Sequence, residues 1–209
     1  MDVIGLPRRA SMVMLLLALA LMVAFPTLAR AQYWIPTNVT DPEVKLGVLD
    51  HDVHFLVGWE NGLDINPELR LASPISDQWT ASIPAYLRWI VQPRPTVGLL
   101  INTSGYTSQV YLGPSWTWRF ASNVAREGDG ITGGIFFGAA FNNGYIEAHG
   151  YHERKSLGGA TLFHVGGELG YEITPKYDVS VYLNHSSNGG FDRFNEALND
   201  LGLRFGVKF

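Results

Sequence analysis

The chain contains no cysteine among its 209 residues. That excludes a disulfide-stapled secreted scaffold, a thiol nucleophile and any thiolate metal site. Basic residues are few: Lys and Arg total 15 against 19 acidic residues, a formal net charge of −4. A nucleic-acid interface needs a basic face, so no nucleic-acid partner is expected. Apart from one N-terminal segment there is no long apolar run, which excludes a helical membrane protein. Internal repeats and low-complexity segments are also lacking. What is present is a hydrophobic content of 46% spread over short alternating segments, together with 23 glycines. That distribution suits a β-barrel better than a soluble sandwich.

The N-terminal exception reads as a secretory signal. Arg8 and Arg9 form a positive start, Met12 to Phe25 is continuously apolar, and Ala29-Arg30-Ala31 is an A-x-A cleavage site. The apolar run is shorter than the ~20 residues a spanning helix needs. Residues 1–31 are therefore expected to be removed, leaving 32–209 as one domain. Loss of Arg8, Arg9 and Arg30 makes the remaining chain more acidic still.

Within 32–209 the pattern has period two, the mark of strands whose side chains point alternately to opposite faces. In the closing segment Leu201, Leu203, Phe205, Val207 and Phe209 share one face, while Gly202, Arg204, Gly206 and Lys208 share the other. Arg204 and Lys208 would be costly against lipid and are suited to a polar lumen. The same alternation predicts eight strands: 45–53, 64–72, 95–103, 107–120, 131–142, 159–173, 176–187 and 199–209. An even count lets an antiparallel sheet close without free edges, so the expected fold is an eight-stranded outer-membrane β-barrel. With the N-terminus periplasmic, the outer loops are 54–63, 104–106, 143–158 and 188–198. The inner connections are 73–94, 121–130 and a turn at Thr174-Pro175. In the long inner connection, Pro84 followed by 85–90 predicts a short helix at the membrane boundary.

One strand end carries chemistry. Tyr177, Val179, Val181 and Leu183 form an apolar stripe that ends in His185 and Ser187, two residues apart and so side by side. Either they open a polar loop, since Ser-Asn-Gly-Gly is ordinary turn composition, or they are a base and nucleophile set against the ester bonds of a lipid. Two further patterns involve histidine. His51-x-x-His54 and His149-x-x-His152 have residue types for zinc, but with weak spacing and no accompanying carboxylate pattern, so no metal or other cofactor is expected. His164 and Glu168 share the lumen face, where an eight-stranded barrel has room only for packed side chains.

The segment His185-Ser186-Ser187-Asn188-Gly189-Gly190, with Asn195 and the closing strand Gly202–Phe209, resembles the lipid A 3-O-deacylase (PagL-like, acyloxyacyl hydrolase) family, whose pattern is H-x-S-N before the last strand. Similar segments lie at 47–53, 64–69, 93–95 and 166–171. The resemblance implies an eight-stranded barrel with a serine-hydrolase site on its outer wall. Ser187 is then the nucleophile and His185 the general base, with Asn188 and the N–H groups of Gly189 or Gly190 as oxyanion donors. The family places a Glu at the start of the last strand to orient the histidine; here the aligned position is Asn199, whose parity is outward like that of His185. Asp200 has the opposite parity and should face the lumen. Glu196, in the loop, is the second choice as orienter. The implied function is release of a 3-hydroxyacyl chain from lipid A of lipopolysaccharide in a Gram-negative outer membrane, by a protein able to form a homodimer. The alternatives are a non-catalytic structural or adhesive barrel and an outer-membrane phospholipase.

Overall fold

Alternation of polar and apolar residues builds strands with one wet and one greasy face, and the computed structural model closes those strands on themselves. It describes residues 37–39, 41–53, 60–84, 87–147 and 154–209. The expected signal peptide and cleavage site, together with His54, His149 and His152, lie outside the described residues.

After a two-residue strand β1 (Thr37–Asn38), eight long strands follow: β2 (Glu43–Asp50), β3 (Leu63–Arg70), β4 (Arg94–Asn102), β5 (Gln109–Ser122), β6 (Gly130–Asn142), β7 (Thr161–Glu172), β8 (Tyr177–Ser187) and β9 (Leu198–Lys208). Each pairs antiparallel with its sequence neighbour; β2 pairs with β9, and the β5–β6 pairing completes a closed eight-stranded all-β barrel. The eight predicted strands match these eight within a few residues at each end. The short β1 carries too little pattern to be read from sequence. It pairs with β5 at Arg119 and Trp118, on the stretch of β5 that runs past its pairing with β4.

Outward positions carry the apolar belt a lipid-facing wall requires, among them Val44, Leu46, Val48, Ile135, Phe137, Leu169, Leu203 and Phe205, all exposed. Inward positions are polar and buried. In the mid-lumen Glu43, Glu68, Glu168 and Asp178 face Lys45, Arg70, Arg94 and Arg204, four acids against four bases. They are joined by bridges such as Arg204–Glu68 (2.9 Å), Arg70–Glu168 (2.7 Å) and Lys45–Asp178 (2.5 Å). Mutual pairing is what lets ionised groups sit in so narrow a lumen. An apolar layer of Leu49, Leu100, Tyr111, Phe136, Ala140 and Tyr182 is stacked beside this network.

Two local readings change. The helix in the connection between β3 and β4 is a single turn, Arg88–Val91, and Pro84 lies before it instead of within its first turn. Its residues still meet the barrel's outer wall, with Trp89 5.2 Å from Trp118 ring to ring and Trp116 donating to the Ile90 carbonyl at 2.9 Å. On β5 the register slips between Arg119 and Ala121, so strict alternation breaks at Phe120, at a bulge that sequence parity could not reveal.

Candidate active site

Strands β8 and β9 place the chemistry. In their register His185 lies opposite Asn199, while on the other side of β8 Val165 lies opposite His185 and Phe163 opposite Ser187. Parity puts all of these on the outer wall, where His185 is exposed and Ser187 and Asn199 are half-buried. His185 Nε2 is 3.0 Å from Ser187 Oγ, and His185 Nδ1 is 2.8 Å from Asn199 Oδ1. An Nδ1–H donating to the Asn199 carbonyl fixes the tautomer that presents an Nε2 lone pair to the serine hydroxyl. Around the pair the wall is apolar: Phe163, Val165 and Leu183 are exposed, and Phe191 packs 5.9 Å from Phe163, ring to ring.

The other sequence-nominated residues have different positions. The Glu196 carboxylate accepts from the Ser156 N–H at 2.5 Å and ties two outer loops together; His185 has Asn199 in its place. Asn188 is buried, and its Nδ2 donates to the carbonyls of Leu157 (3.0 Å) and Phe194 (2.5 Å). Its Oδ1 accepts from the Gly190 N–H at 2.8 Å, and its own N–H donates to Asn195 Oδ1 at 3.1 Å. Asn188 is thus a loop brace and not a free oxyanion donor, because a buried amide must satisfy its own hydrogen-bonding groups. The Gly190 N–H is spent in the same brace. Of the three nominated donors, only the Gly189 N–H forms no hydrogen bond among the described residues; Gly189 has φ +70°. The lumen pair is also separated: His164 Nδ1 lies 2.7 Å from Ser186 Oγ, whereas Glu168 is bound to Arg70 and Arg204.

Behind the site, the loop 154–158 folds into the barrel mouth. Leu157 joins Leu162 and Leu198 in a small buried apolar cluster, and Lys155 Nζ bridges to Asp52 at 2.6 Å. Gly158 makes this fit possible. It has φ +73°, and a Cβ there would stand 1.9 Å from the Phe194 carbonyl and 2.3 Å from Asn188 Nδ2. Gly158→Ala is expected to push the 188–197 loop off its brace and lower activity by about 100-fold, the usual effect of a 1 Å misplacement. Because the strands do not pass through Gly158, electrophoretic heat-modifiability should show the barrel still folded. Unchanged turnover would remove Gly158 and the Asn188 brace from the account of the site.

A titratable cage completes this end of the barrel. His51, just past β2, has Nδ1 2.9 Å from Asp64 and Nε2 3.1 Å from Glu60. Burial alone would lower its pKa, but the hydrogen bonds to Asp64 and Glu60 outweigh it and raise it to about 10. For Glu60, burial opposes ionisation, while His51 and the Thr107 N–H and hydroxyl pull its pKa below the ordinary value. In the sequence His51 stands out as half of a histidine pair and within the family-like segment 47–53. Its carboxylate neighbours come from β3, β9 and a loop, and no local spacing signals them.

Residues 77–208 match the model of the family described as lipid A 3-O-deacylase (PagL). Among solved structures, the crystal structure of the outer membrane enzyme PagL is similar with a TM-score of 0.58 and 15% identity, covering 80% of this chain and 99% of that one. The N-terminal β-barrel domain of Pseudomonas aeruginosa OprF is similar at TM-score 0.45 and 12% identity, over 82% of this chain and 100% of its own. Neisserial surface protein A gives 0.46 and 14%, over 80% and 97%. No curated protein sequence matches significantly.

Proposed function

The chain belongs to the lipid A 3-O-deacylase (PagL) family, and from that membership we propose that it is an outer-membrane serine esterase releasing an ester-linked 3-hydroxyacyl chain from lipid A. The observation that carries this reading is the placement of the Asn199–His185–Ser187 chain on the barrel's outer wall. A hydrolase of soluble substrates has no use for a nucleophile flanked by the exposed side chains of Phe163, Val165 and Leu183. An acyl chain already dissolved in the membrane would meet that wall edge-on, bringing its ester linkage to the level of Ser187. A cleft of about 510 Å³ at the outer loops, lined by Glu147, Asp192 and Arg193 together with Ile146, Gly158 and Phe194, offers charged groups to a sugar head-group.

The chemistry follows from the distances. Ser187 Oγ attacks the acyl carbonyl as His185 Nε2 takes its proton. The resulting imidazolium keeps its Nδ1–H on Asn199 Oδ1. Collapse of the tetrahedral adduct expels the sugar alcohol, which receives the proton from Nε2, and leaves the acyl group on Ser187. Water, deprotonated by the same nitrogen, then releases the 3-hydroxy fatty acid. The Gly189 N–H is the backbone donor proposed for the oxyanion.

Asn199 is neutral, so it orients the imidazole without offsetting its positive charge. Asn199→Asp keeps the shape and supplies a charge; a charge-assisted hydrogen bond stronger by about 1.4 kcal/mol should raise kcat roughly tenfold. Steady-state kinetics on the purified variant checks this, and a fall in kcat would mean that the amide has a role a carboxylate cannot fill.

The function itself is tested by mass spectrometry of lipid A from a bacterium with intact lipid A, expressing either this protein or its Ser187→Ala variant. Loss of one 3-hydroxyacyl mass with the parent alone is expected. Unchanged lipid A beside a folded parent barrel would defeat the reading, and lysophospholipid products would assign the site to a phospholipase.

A further inference from the structure

The two polar layers of the lumen differ in charge balance. The mid-lumen pairs four acids with four bases. The cage at the His185 end holds Asp52, Glu60, Asp64 and Asp200, all buried, beside Lys155 and His51. The cage therefore holds more acids than bases.

The arrangement of atoms is that of a ligand set. His51 Nδ1 is 2.9 Å from Asp64 Oδ2 and 3.4 Å from Asp200 Oδ1, and one ligand atom from each of these three residues lies within 4.8 Å of the others. Ligands about 2.1 Å from a common ion stand about 3.0 Å apart in an octahedron and about 3.4 Å apart in a tetrahedron, so the two separations from His51 Nδ1 suit one ion. The outer support is already built. Glu60 holds His51 Nε2, Asn102 Nδ2 donates to Asp64 Oδ1 at 3.0 Å, and the Asp52 N–H donates to Asp200 Oδ1 at 3.1 Å. A carboxylate on the far nitrogen of a histidine is the usual support of a metal-binding imidazole.

A second, independent observation points into the same space. Asp200 is fully buried, yet its Oδ2 has no hydrogen-bond partner. Directly across the β8–β9 ladder is Asn184, 1% exposed, whose side chain lies against the Asp200 carboxylate without a hydrogen bond of good geometry. Buried polar groups are rarely left so, and the unpartnered Asp200 Oδ2 marks a place where a ligand belongs.

We propose that His51 Nδ1, Asp64, Asp200 and the Asn184 side-chain carbonyl bind one divalent transition-metal cation, of the Zn2+ or Mn2+ kind. The imidazole nitrogen argues against Ca2+ and Mg2+, which take oxygen ligands. On binding, the proton of His51 Nδ1 passes to solvent and the ion takes its place between the carboxylates. The ion would tie the start of the first outer loop to β3, β8 and β9, directly behind the wall that carries His185 and Asn199. It takes no part in ester hydrolysis.

The test uses the barrel purified from outer membranes, carrying Ser187→Ala so that the result does not depend on the proposed reaction. The protein is stripped with a chelator and titrated calorimetrically with Zn2+, Mn2+ or Ca2+ alone. One equivalent of Zn2+ or Mn2+ is expected, with Ca2+ binding at least ten times more weakly. Asp200→Asn and Glu60→Gln should weaken transition-metal binding about 10- to 100-fold. His149→Gln with His152→Gln should leave it unchanged. The unfolding temperature should rise on adding the ion to the parent and not to Asp200→Asn. No binding by the folded barrel overturns the proposal. So does binding that survives Asp200→Asn and His51→Gln in folded protein, or that is lost with the loop histidines. If Asp200→Asn fails to fold, Asn184→Ala, which removes only a neutral ligand, serves in its place.

Discussion

Ser187→Ala and His185→Ala are each expected to lower kcat by on the order of 10^4-fold or more, and the double variant by no more than either alone. Ser187 Oγ is the atom proposed to form the acyl bond, and a hydroxyl is a weak nucleophile without a base to take its proton. His185 Nε2, at 3.0 Å, is the base within reach. Once either member is gone the other has nothing to act on, so the losses do not add. The residual rate would come from binding and the backbone donor. Neither change should unfold the barrel, because both side chains lie on its outer wall and leave the lumen network untouched. Kinetics on the three purified variants, with heat-modifiability as the folding control, checks this. Losses that multiply in the double variant would show that the two residues do not work as one unit.

The second large effect is on stability. Arg204→Met is expected to destabilise the barrel by about 3–5 kcal/mol, the usual cost of removing one partner from a buried ion network. Arg204 is fully buried on β9 and serves three elements at once. It bridges Glu68 on β3 at 2.9 Å and Glu168 on β7 at 3.4 Å, and donates to Asn66 Oδ1 at 2.8 Å. Its guanidinium also lies 3.2 Å from the centre of the Tyr182 ring on β8. Met preserves much of the volume but leaves four lumen acids facing three bases. A second change, Glu68→Gln, should recover part of the loss by removing the stranded charge. Urea unfolding in detergent micelles gives both values. A single-variant cost below about 1 kcal/mol would mean that solvent enters the lumen and screens the pair, as it does for surface bridges.

Period-two alternation located all eight long strands, because side-chain direction along a strand is a local property that a residue's parity settles. The same parity sent Asp200 inward and Asn199 outward, and the structure has them so. Where the backbone departs from strict pleating, at the bulge between Arg119 and Ala121 and at the single helical turn Arg88–Val91, parity and propensity had nothing to report. The neighbourhood of Ser187 and His185 was also legible, since the two are only two residues apart on one strand.

What only the tertiary structure decided is whatever depends on register or on loops meeting across the barrel mouth. That Asn199, and not Glu196, reaches His185 is a matter of β8–β9 register; Glu196 is held away by the Ser156 N–H. That Asn188 braces the loop follows from carbonyls supplied by Leu157 and Phe194, the first of them thirty-one residues distant. The cage around His51 draws Glu60, Asp64 and Asp200 from segments that meet only because β2 pairs with both β3 and β9. Residue type and spacing carry the chemistry of neighbours along the chain. Closure of the barrel determines which distant groups share a charge, a hydrogen bond or an ion, because it alone sets their separation.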